Sequence, residues 1–343
     1  CKVVNMSLGG QLTEPLDRDP ECKLLDQLSE QYGTVFVVAC LPKDTLVYCN
    51  PSVKPIADVK PNDYVYSFVG EFKKEGGKGG KKRLDAKLTK ARVLATVNKG
   101  VRDIYEIRTA TRSVRATEDH PILVIERKHN GKRTHSYEYE LTWKQVKDLR
   151  KGDLVVIVTK LPDTRVEPIN EDWAYILGAY LGDGYYYKKG NEQYRVVFYV
   201  PASSEVYTKV FEKLKKLGYN PIPHRQHDKV TGIIVISKEL LEKLKKWGFE
   251  VGSRNKKVPE WIFGLSDRLK RKFIEGYLDT DGCERLTSNC YGEKTVREWC
   301  FETPNLELLK GIRALLIQLG IRVTVIRSRI KKTKVHNGYK EYE

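Results

Sequence analysis

Three patterns of hydrophobic and polar positions follow one another along the 343 residues. Residues 1–39 contain an apolar run, "KVVNMSL", a helical pattern near "CKLLDQLSEQYG", and a second apolar run, "TVFVVA". Two buried strands on either side of a helix are typical of a β–α–β unit, in which the strands pair in parallel. We therefore expect a short α/β segment at the start of the chain.

Short runs with β character fill residues 40–165, and turn signals such as "KPND" and "RKGD" separate them. This pattern predicts a compact all-β domain of short strands. Within it, residues 73–90 hold eight basic side chains, two acidic ones and four glycines, which indicates a flexible cationic loop. Such a loop either grips phosphates or is simply solvated.

From residue 171 onward, helical patterns alternate with pairs of strand-like runs, and this region contains an internal repeat. "AYILGAYLGDG" occupies residues 174–184, and "KFIEGYLDTDG" occupies residues 272–282, so the two acidic glycine ends lie 98 residues apart. Strand-like runs and a further helix follow each copy. We expect residues 166–343 to form an α+β domain in which one unit occurs twice, at about 171–250 and 265–343.

Small residues occupy matching positions on one face of the two predicted helices. Gly178 and Gly182 are four residues apart in the first copy, and Gly276 and Thr280 take the same positions in the second. Small side chains let two helices approach backbone to backbone. Their C-terminal ends would then lie side by side and bring together the last acid of each copy, Asp183 and Asp281.

Two neighbouring carboxylates repel each other, and here both stand at the negative end of a helix dipole. The arrangement is costly unless cations bind, and hard oxygen ligands suit Mg²⁺. Two such ions about 4 Å apart activate a water and stabilise the leaving oxygen of a phosphodiester. The glycines that follow, Gly184 and Gly282, are predicted to be left-handed C-caps.

The charge of the chain favours a polyanionic partner. The net charge of the chain is +17. Residues 1–39 hold three basic and six acidic side chains, a net of −3, so residues 40–343 carry a net charge of +20. Such an excess is typical of nucleic-acid binding, although a solvated, Lys-rich surface of the thermophile type is the alternative. No run of 18 apolar residues and no signal peptide occur in the sequence, so we expect an intracellular protein without a membrane span.

With these motifs, residues 171–343 resemble the LAGLIDADG homing endonucleases in their single-chain, two-repeat form. The resemblance implies a monomer with a pseudo-two-fold axis, in which Asp183 and Asp281 bind Mg²⁺. It also implies double-stranded DNA as the partner, with a long site read by strands near 185–199 and 283–301. The stretch "NKKVPEWI" resembles the block that carries the family's basic residue, for which Lys256 is our first choice and Lys257 the alternative.

The predicted all-β region carries a candidate nucleophile and a candidate acid–base pair. Cys40 is suited to an N-to-S acyl shift onto the carbonyl of Ala39, and Thr117 and His120 have TxxH spacing. "CLPKDTLV", "RATEDHPIL" and "WKQVKDLRKGDLVVI" resemble the N-terminal blocks of an intein's Hint domain. The resemblance implies that Cys40 is the nucleophile, that His120 drives amide cleavage, that Thr117 holds the scissile peptide, and that Asp119 assists less directly.

The two ends of the chain complete this interpretation. "VVNMSLGG" and "GTVFVVA" resemble subtilisin-like serine proteases, so residues 1–39 are interpreted as a host fragment interrupted at Cys40. Full splicing also needs a C-terminal His-Asn followed by Cys, Ser or Thr. The "HNG" at 336–338 instead predicts a hairpin with an Asn-Gly turn, so we interpret the chain as stopping before the splicing domain is complete.

The combined hypothesis is an intein within a subtilase, with the N-terminal half of a splicing domain and an endonuclease whose target is the uninterrupted host gene. One alternative is a catalytically silent, DNA-binding remnant, for which binding without Mg²⁺ and without nicking would be diagnostic. A second is an autoprocessing Hint protein unrelated to splicing.

Overall fold

The computed structural model describes residues 2–6, 34–38, 41–74, 82–93, 96, 100–109, 112–129, 137–190, 193–226, 229–288, 295–323, 331–335 and 338–342. These residues form a mixed α/β protein with two compact units, one extending to Pro162 and the other beginning at Asp163. Across the described ranges, no helix combines the length and the apolar character that crossing a bilayer requires.

The first unit is built of strands and two short 3₁₀ turns. The strands are β1 (Lys2–Met6), β2 (Thr34–Val38), β3 (Leu46–Tyr48), β4 (Val53–Pro55), β5 (Tyr64–Lys74), β6 (Lys82–Arg92), β7 (Tyr105–Arg108), β8 (Ser113–Ala116), β9 (Pro121–His129), β10 (Tyr137–Gln145) and β11 (Leu154–Val155). The 3₁₀ turns are Ile56–Asp58 and Val146–Asp148. Between 41 and 162 the described residues include no α-helix, as the pattern of short runs predicts.

Strand pairing in the first unit is mostly local. β1 and β2 pair in parallel from Lys2↔Thr34 to Met6↔Val38, which confirms the predicted pairing, while the predicted helix between them falls outside the described residues. The other pairs are antiparallel: β3 with β4, β5 with β6, β7 with β8, and β9 with both β10 and β11. A small core of Cys49, Val59, Val65 and Val93 lies where β3, β5 and the end of β6 meet.

In the cationic stretch 73–90, residues 73–74 and 82–90 are strand and not the flexible loop that the composition predicts. β5 and β6 form one long antiparallel hairpin whose register runs from Tyr64↔Arg92 to Lys74↔Lys82, so residues 82–90 are strand. The sequence "RLDAKLTKA" alternates apolar and polar positions with the period of a strand, a signal that its lysines conceal. The tip of the hairpin, residues 75–81, lies outside the described residues.

The second unit combines five helices with eight strands among its described residues. The helices are α1 (Glu171–Asp183), α2 (Glu205–Lys216), α3 (Lys238–Lys246), α4 (Asp267–Asp281) and α5 (Leu306–Gln318). The strands are β12 (Gly184–Lys189), β13 (Gln193–Phe198), β14 (Pro221–Gln226), β15 (Lys229–Ile236), β16 (Gly282–Ser288), β17 (Thr295–Phe301), β18 (Lys331–Val335) and β19 (Gly338–Tyr342). A 3₁₀ turn, Glu260–Gly264, precedes α4.

The internal repeat is visible in this order of elements. In each copy a helix leads directly into an antiparallel strand pair and then a second helix: α1, β12, β13 and α2, and later α4, β16, β17 and α5. The first copy continues into a four-stranded sheet with the order β12-β13-β15-β14, and the second continues into the hairpin β18–β19. That hairpin confirms the strands predicted around "HNG", whose turn residues 336 and 337 are not described.

Side-chain caps set where the two leading helices begin. The Asn170 side chain accepts from the Trp173 N–H at 2.9 Å, and the Ser266 hydroxyl accepts from the Leu269 N–H at 3.3 Å. Each cap satisfies a backbone donor that the first turn of a helix would otherwise leave unpaired. α1 is buried continuously over the eight residues 174–181, so it forms the centre of the second unit.

Candidate functional site

The centre of the second unit is a pair of helices whose backbones touch. An added Cβ at Gly178 of α1 would collide with the carbonyl oxygen of Phe273, and one at Gly276 of α4 would collide with the carbonyl oxygen of Tyr175. At the C-terminal end, a Cβ on Gly182 would collide with the Thr280 hydroxyl. The small residues picked out in the repeat therefore do face each other, and α1 and α4 are held closer than any side chain there would permit.

The glycines after the two helices are not the left-handed caps that the sequence predicts. Gly184 has φ −84° and ψ 149°, and Gly282 has φ −93° and ψ 158°, so both are extended and begin β12 and β16. Glycine is needed there for a different reason. An added Cβ would lie 2.5 Å from the Tyr180 carbonyl oxygen in the first copy and 2.6 Å from that of Leu278 in the second. The chain turns from helix into strand without a loop, and only glycine fits this close approach.

The paired helix ends bring Asp183 and Asp281 together. Burial first and the neighbouring Asp281 second raise the pKa of the Asp183 carboxyl to about 6, while Lys256 acts in the opposite direction. Burial also raises the pKa of Asp281, against a hydrogen bond from Tyr277 and the charge of Lys256. Both ionised carboxylates therefore repel each other in a site with little water, and a cation relieves that cost.

Lys256 reaches the same site from the loop before α4. Its side chain is 5% exposed, and its Nζ donates to the carbonyl oxygens of Tyr180 at 3.1 Å and Gly182 at 2.7 Å, at the C-terminal end of α1. Burial lowers the pKa of Lys256 to about 8, although both aspartates act to raise it. The alternative candidate, Lys257, is exposed. One ammonium group thus faces two carboxylates, which leaves the centre with a negative charge.

Asn305 holds the Lys256 segment in place. Its side-chain amide donates to the carbonyl oxygens of Arg254, at 2.9 Å, and Lys256, at 2.5 Å, and its Oδ1 also caps α5. The loop that carries the lysine is thereby tied to the second copy of the repeat, so the ammonium position does not depend on the lysine side chain alone.

Tyr277 contacts the site, and the sequence argument missed it. Its hydroxyl donates to Asp281 Oδ2 at 3.0 Å, and its ring is fully buried. Burial raises the pKa of Tyr277 well above its usual value, so the phenol stays neutral and donates. The sequence signal for Tyr277 is its position four residues before Asp281, because residues four apart on a helix lie on the same face. In the first copy this position is Ala179, which has no hydroxyl.

The donor set fits a divalent cation shared with a substrate. Within the described ranges, no three or more His, Cys, Asp or Glu side chains are grouped so that they could hold a metal ion, so these residues do not form an all-protein cage. Mg²⁺ commonly takes one or two carboxylates and completes its octahedron with water and substrate phosphate oxygens. Asp183 and Asp281, both half-buried and electrostatically coupled, are suited to that role.

The strands that follow the two helices present exposed aromatic and basic side chains. On β12 the rings of Tyr185 and Tyr187 lie 6.0 Å apart, on the face opposite to Tyr186, which stacks on Tyr180 of α1. Trp299 on β17 is 54% exposed. Large exposed rings next to lysines are compatible with contacts to nucleic-acid bases and backbone.

In the first unit, Thr117 and His120 lie on one tight turn between β8 and β9. The His120 N–H donates to the Thr117 carbonyl at 3.2 Å, and the Thr117 hydroxyl donates to the Asp119 carboxylate. A hydrogen bond joins this turn to the 3₁₀ turn after β10, because the Val146 N–H donates to the His120 carbonyl oxygen at 3.0 Å. Thr117 is buried, whereas Asp119 is half-buried.

The His120 ring is neutral, and one of its nitrogens lacks a hydrogen-bond partner among the described residues. Burial lowers the pKa of His120 to about 4 despite the neighbouring Asp119, and its buried Nδ1 has no hydrogen-bond partner among the residues that the structure describes. An open cavity of about 360 Å³ beside this turn is lined by Val101, Arg102, Asp103, Thr117, Glu118 and Asp119.

Cys40 lies outside the described residues, but the segment that follows it is placed. Asp44 accepts two hydrogen bonds from the Arg115 guanidinium, at 2.8 and 3.0 Å, which join the turn after Pro42 to β8. β8 leads directly to Thr117, so the segment after Pro42 and the turn at 117–120 are neighbours in the first unit.

Three curated proteins illustrate what the chain is similar to. It is 26% identical over 289 residues to an iron–sulfur cluster assembly SufBD family protein of Mycobacterium leprae, covering 78% of this chain and 30% of that protein. It is 22% identical over 248 residues to the replicative DNA helicase DnaB of Rhodothermus marinus, covering 68% and 24%. A DNA polymerase of a Thermococcus species is 29% identical over 169 residues, covering 48% and 9%. The chain thus spans less than a third of these relatives' own lengths.

Solved structures of the homing endonuclease I-DmoI are also among the matches. Mesophilic variants match at 19% identity with a TM-score of 0.30, over 49% of this chain and 83% of theirs. The complex of I-DmoI with DNA and Mn matches at 20% identity with a TM-score of 0.29, over 49% and 84%. Residues 268–342 match the sequence model of a family described as LAGLIDADG-like domain. The C-terminal part of the chain therefore contains a LAGLIDADG-like domain.

Proposed function

We propose that the second unit is a divalent-metal-dependent endonuclease that cuts double-stranded DNA at a long, specific site. The observation that carries this proposal is the convergence of Asp183, Asp281 and Lys256 at the ends of two helices in backbone contact. Packing of the two helices does not require charged side chains at their ends, and burying these three charges makes the protein less stable. The LAGLIDADG-like domain at 268–342 supports the same conclusion.

Each residue of the centre has a distinct role in this reaction. Asp183 and Asp281 would hold the cation, most simply Mg²⁺, and both must be ionised to do so. When bound, the cation lowers the pKa of an attacking water and stabilises charge on the leaving oxygen. Lys256, fixed on the carbonyl oxygens at the end of α1, supplies positive charge to the pentavalent phosphate transition state.

The partner would be read by the strands that follow the helices, near 185–199 and 283–301. The sheet of the first repeat offers aromatic contacts through the exposed rings of Tyr185 and Tyr199. It offers charge contacts through Lys188 and Lys189. The excess of basic residues outside 1–39 provides the general attraction to phosphate. We propose a monomer whose two repeats contact the two halves of the site.

A plasmid library provides the test. Each member carries the native codons for residues 28–39 followed by randomised base pairs, which represents the upstream half of an uninterrupted host gene. With Mg²⁺, the full chain should linearise those plasmids of the library that share one target sequence. The variants Asp183→Asn and Asp281→Asn should leave the same plasmids uncut. Cutting by the Asn variants at the wild-type rate would contradict the assignment of the site. Sequence-specific binding without any nicking would instead favour the catalytically silent alternative.

We further propose that the first unit activates the Ala39–Cys40 peptide bond, as the N-terminal half of an intein. The supporting observation is the turn 117–120, where a neutral, half-buried imidazole has a buried Nδ1 without a hydrogen-bond partner in the described part of the chain, beside a buried threonine and an open cavity. The Cys40 thiolate would attack the Ala39 carbonyl carbon, and the peptide C–N bond would break as the amide nitrogen becomes a free amine. The neutral His120 imidazole would first take the proton of the Cys40 thiol and then deliver it to that nitrogen, while Thr117 would hold the peptide.

The range of relatives supports an inserted element. An iron–sulfur assembly protein, a helicase and a polymerase have no activity in common by name, yet each matches this chain over less than a third of its own length. A segment that recurs inside otherwise unlike proteins behaves as an insertion rather than as part of any one host. The host here would be a subtilisin-like protease, represented by residues 1–39 and the parallel pair β1–β2.

Incubation of the full chain with a high concentration of a small thiol tests this second activity. A thioester at residue 39 would be intercepted, which releases the 39-residue N-terminal peptide with a thioester end that mass spectrometry identifies. Cys40→Ala should abolish the release, and His120→Ala should slow it by about 10²-fold or more. Release at an unchanged rate from Cys40→Ala would rule out the thioester route.

A further inference from the structure

The two copies of the repeat surround their carboxylates differently. The Tyr277 hydroxyl donates to Asp281 Oδ2 at 3.0 Å, and its buried ring packs edge-on against Phe301 at a centroid distance of 5.4 Å. The matching residue of the first copy is Ala179. The Asp183 side chain accepts no hydrogen bond from any described residue, and the nearby opposite charge is that of Lys256. One carboxylate is therefore oriented by a hydrogen bond, and the other by charge alone.

We infer that Tyr277 is a positioning residue for Asp281 and that it makes the two halves of the proposed metal centre unequal. The hydrogen bond to Oδ2 fixes the orientation of the Asp281 carboxylate that would hold the cation. Hydrogen bonds of this kind orient a ligand and raise its affinity, and their loss costs about 10–100-fold in metal affinity or activity. This inference rests on the proposed endonuclease function, and it predicts that the two DNA strands are cut at different rates.

Tyr277→Phe tests the inference, because it removes only the hydroxyl and keeps the ring against Phe301. Tyr175→Phe is the matched control: Tyr175 is equally buried in the same helix pair, but its hydroxyl donates to Asp279 at 2.7 Å rather than to a proposed ligand. Both variants are compared with the wild type by thermal unfolding, by calorimetric titration with Mn²⁺ without DNA, and by strand-resolved cleavage of end-labelled target.

We expect Tyr277→Phe to bind Mn²⁺ about 10-fold more weakly and to slow cleavage of one strand about 10-fold, so that nicked plasmid accumulates. Tyr175→Phe should leave both readouts at wild-type values. A Tyr277→Phe protein with the Mn²⁺ isotherm and strand ratio of the control would overturn the positioning role. If the wild type binds Mn²⁺ but cuts no library member, the endonuclease proposal fails, and the titration still decides the role of Tyr277.

A different observation concerns two cysteines beside this centre. Cys283 on β16 and Cys300 on β17 are direct register partners, with their Sγ atoms 3.1 Å apart. Facing residues of an antiparallel pair have Cα atoms about 4.5–5.5 Å apart, which is within the range that a disulfide requires. Cys283 is exposed and Cys300 is half-buried, so a soluble oxidant can reach the first thiol.

We propose that Cys283 and Cys300 are a reversible dithiol–disulfide site. The Cys283 thiolate attacks one sulfur of a small disulfide such as oxidised glutathione and releases one glutathione thiolate. The Cys300 thiolate then attacks Cys283 Sγ in the mixed disulfide and releases the second. The two protein thiols lose two electrons and two protons, and one glutathione disulfide becomes two thiols. The new bond closes the base of the β16–β17 hairpin, which begins directly after Asp281.

Peptide mapping after treatment with oxidised glutathione decides this proposal. Trypsin releases Cys283 in residues 273–285 and Cys300 in residues 298–310, so an internal bond links these two peptides with a loss of two hydrogens. Cys300→Ser should instead retain glutathione on Cys283, and dithiothreitol should restore the wild-type thiols. Stable glutathione adducts on the wild-type 273–285 peptide, or links only to other cysteines, would overturn the proposal. Neither result depends on DNA cleavage.

Discussion

The two copies of the repeat keep the same frame and differ in what surrounds it. Both have a glycine at the helix crossing, Gly178 and Gly276, and both end in an aspartate followed by an extended glycine. The first helix is buried over residues 174–181, whereas the first turn of the second carries the exposed Arg268, which pairs with Glu167 and with Glu171. The two copies thus share the glycine at the helix contact and the terminal aspartate, while the polarity of the helix surface differs between them.

The same contrast extends to the groups behind each carboxylate. The ammonium of Lys256 is bonded to the end of α1, and the phenol of Tyr277 is bonded to Asp281 in α4. The repeat thus places two similar carboxylates but does not give them equal environments. Substitutions can remove the features that the copies share and those in which they differ.

The largest effect is expected from the shared acids. Asp183→Asn and Asp281→Asn each remove a charge that the cation needs, so cleavage should fall by about 10³-fold or more, since metal stabilisation of the transition state is worth several kcal/mol. Quenched time courses of plasmid linearisation measure this. If one variant still cuts both strands at a tenth of the wild-type rate, that acid is dispensable and the two copies are not equivalent ligands.

The shared helix contact comes next. Gly178→Ala and Gly276→Ala both force a methyl group against a carbonyl oxygen of the facing helix, so each should lower the free energy of unfolding by about 2–3 kcal/mol. Gly311→Ala in α5 is the control, because its methyl would meet the side chain of Val258 at 2.9 Å rather than a backbone carbonyl oxygen. Urea unfolding should rank Gly311→Ala as the mildest. Wild-type stability of Gly178→Ala and Gly276→Ala would mean that the two backbones separate at no cost.

Lys256 tests the first of the unequal features. Lys256→Met keeps the aliphatic chain but removes the charge, and we expect cleavage to fall by about 10–100-fold. Since the pKa of Lys256 is lowered to about 8 and that of Asp183 is raised to about 6, wild-type cleavage should rise through pH 6 and decline above pH 8. The variant should lose the alkaline decline. A decline that persists in Lys256→Met must belong to another group.

The smallest effect concerns the stability of the metal-free protein. The folded-state pKa of Asp183 is raised from 3.8 to about 6, so between these values the folded state binds more protons than the unfolded state. Stability should therefore fall as pH rises through this window. At pH 7, Asp183→Asn should be more stable than the wild type by about 1–2 kcal/mol, which allows for the partial exposure of the carboxyl. Thermal unfolding with and without Mg²⁺ should show the ion narrowing this gap; a less stable Asn variant in metal-free buffer would contradict the expected repulsion.

Much of this site follows from the sequence because its signals are local and repeated. The acids, the glycines and their 98-residue spacing are visible in two short motifs, and one fold unit must place them similarly. Lys256 required the family resemblance, since only the fold brings it to the carbonyl oxygen of Tyr180, which is 76 residues away in the chain. Tyr277 was missed because a tyrosine in an apolar helix is usually only core.

The errors have physical causes of a similar kind. The stretch 82–90 was interpreted as loop because its lysines conceal a period of two, and strand pairing with β5 outweighs their low β propensity. Gly184 and Gly282 were expected to be left-handed because that is the usual reason for glycine after a helix. The actual requirement is space next to the preceding turn, which depends on the strand that follows. The pairing of Cys283 with Cys300 depends on hairpin register, which spacing alone does not determine.

The backbone contact at Gly178 and Gly276 has a consequence for mutational tolerance. Where two helices meet through side chains, substitutions shift the helices by fractions of an ångström and a compensating change can restore them. Here the spacing is set by peptide groups that every sequence shares, so neighbouring residues can drift without altering the distance between the helix ends. The strands that follow the two helices can therefore vary in sequence while the geometry of the two carboxylates stays the same, and the two glycines are the positions that cannot vary.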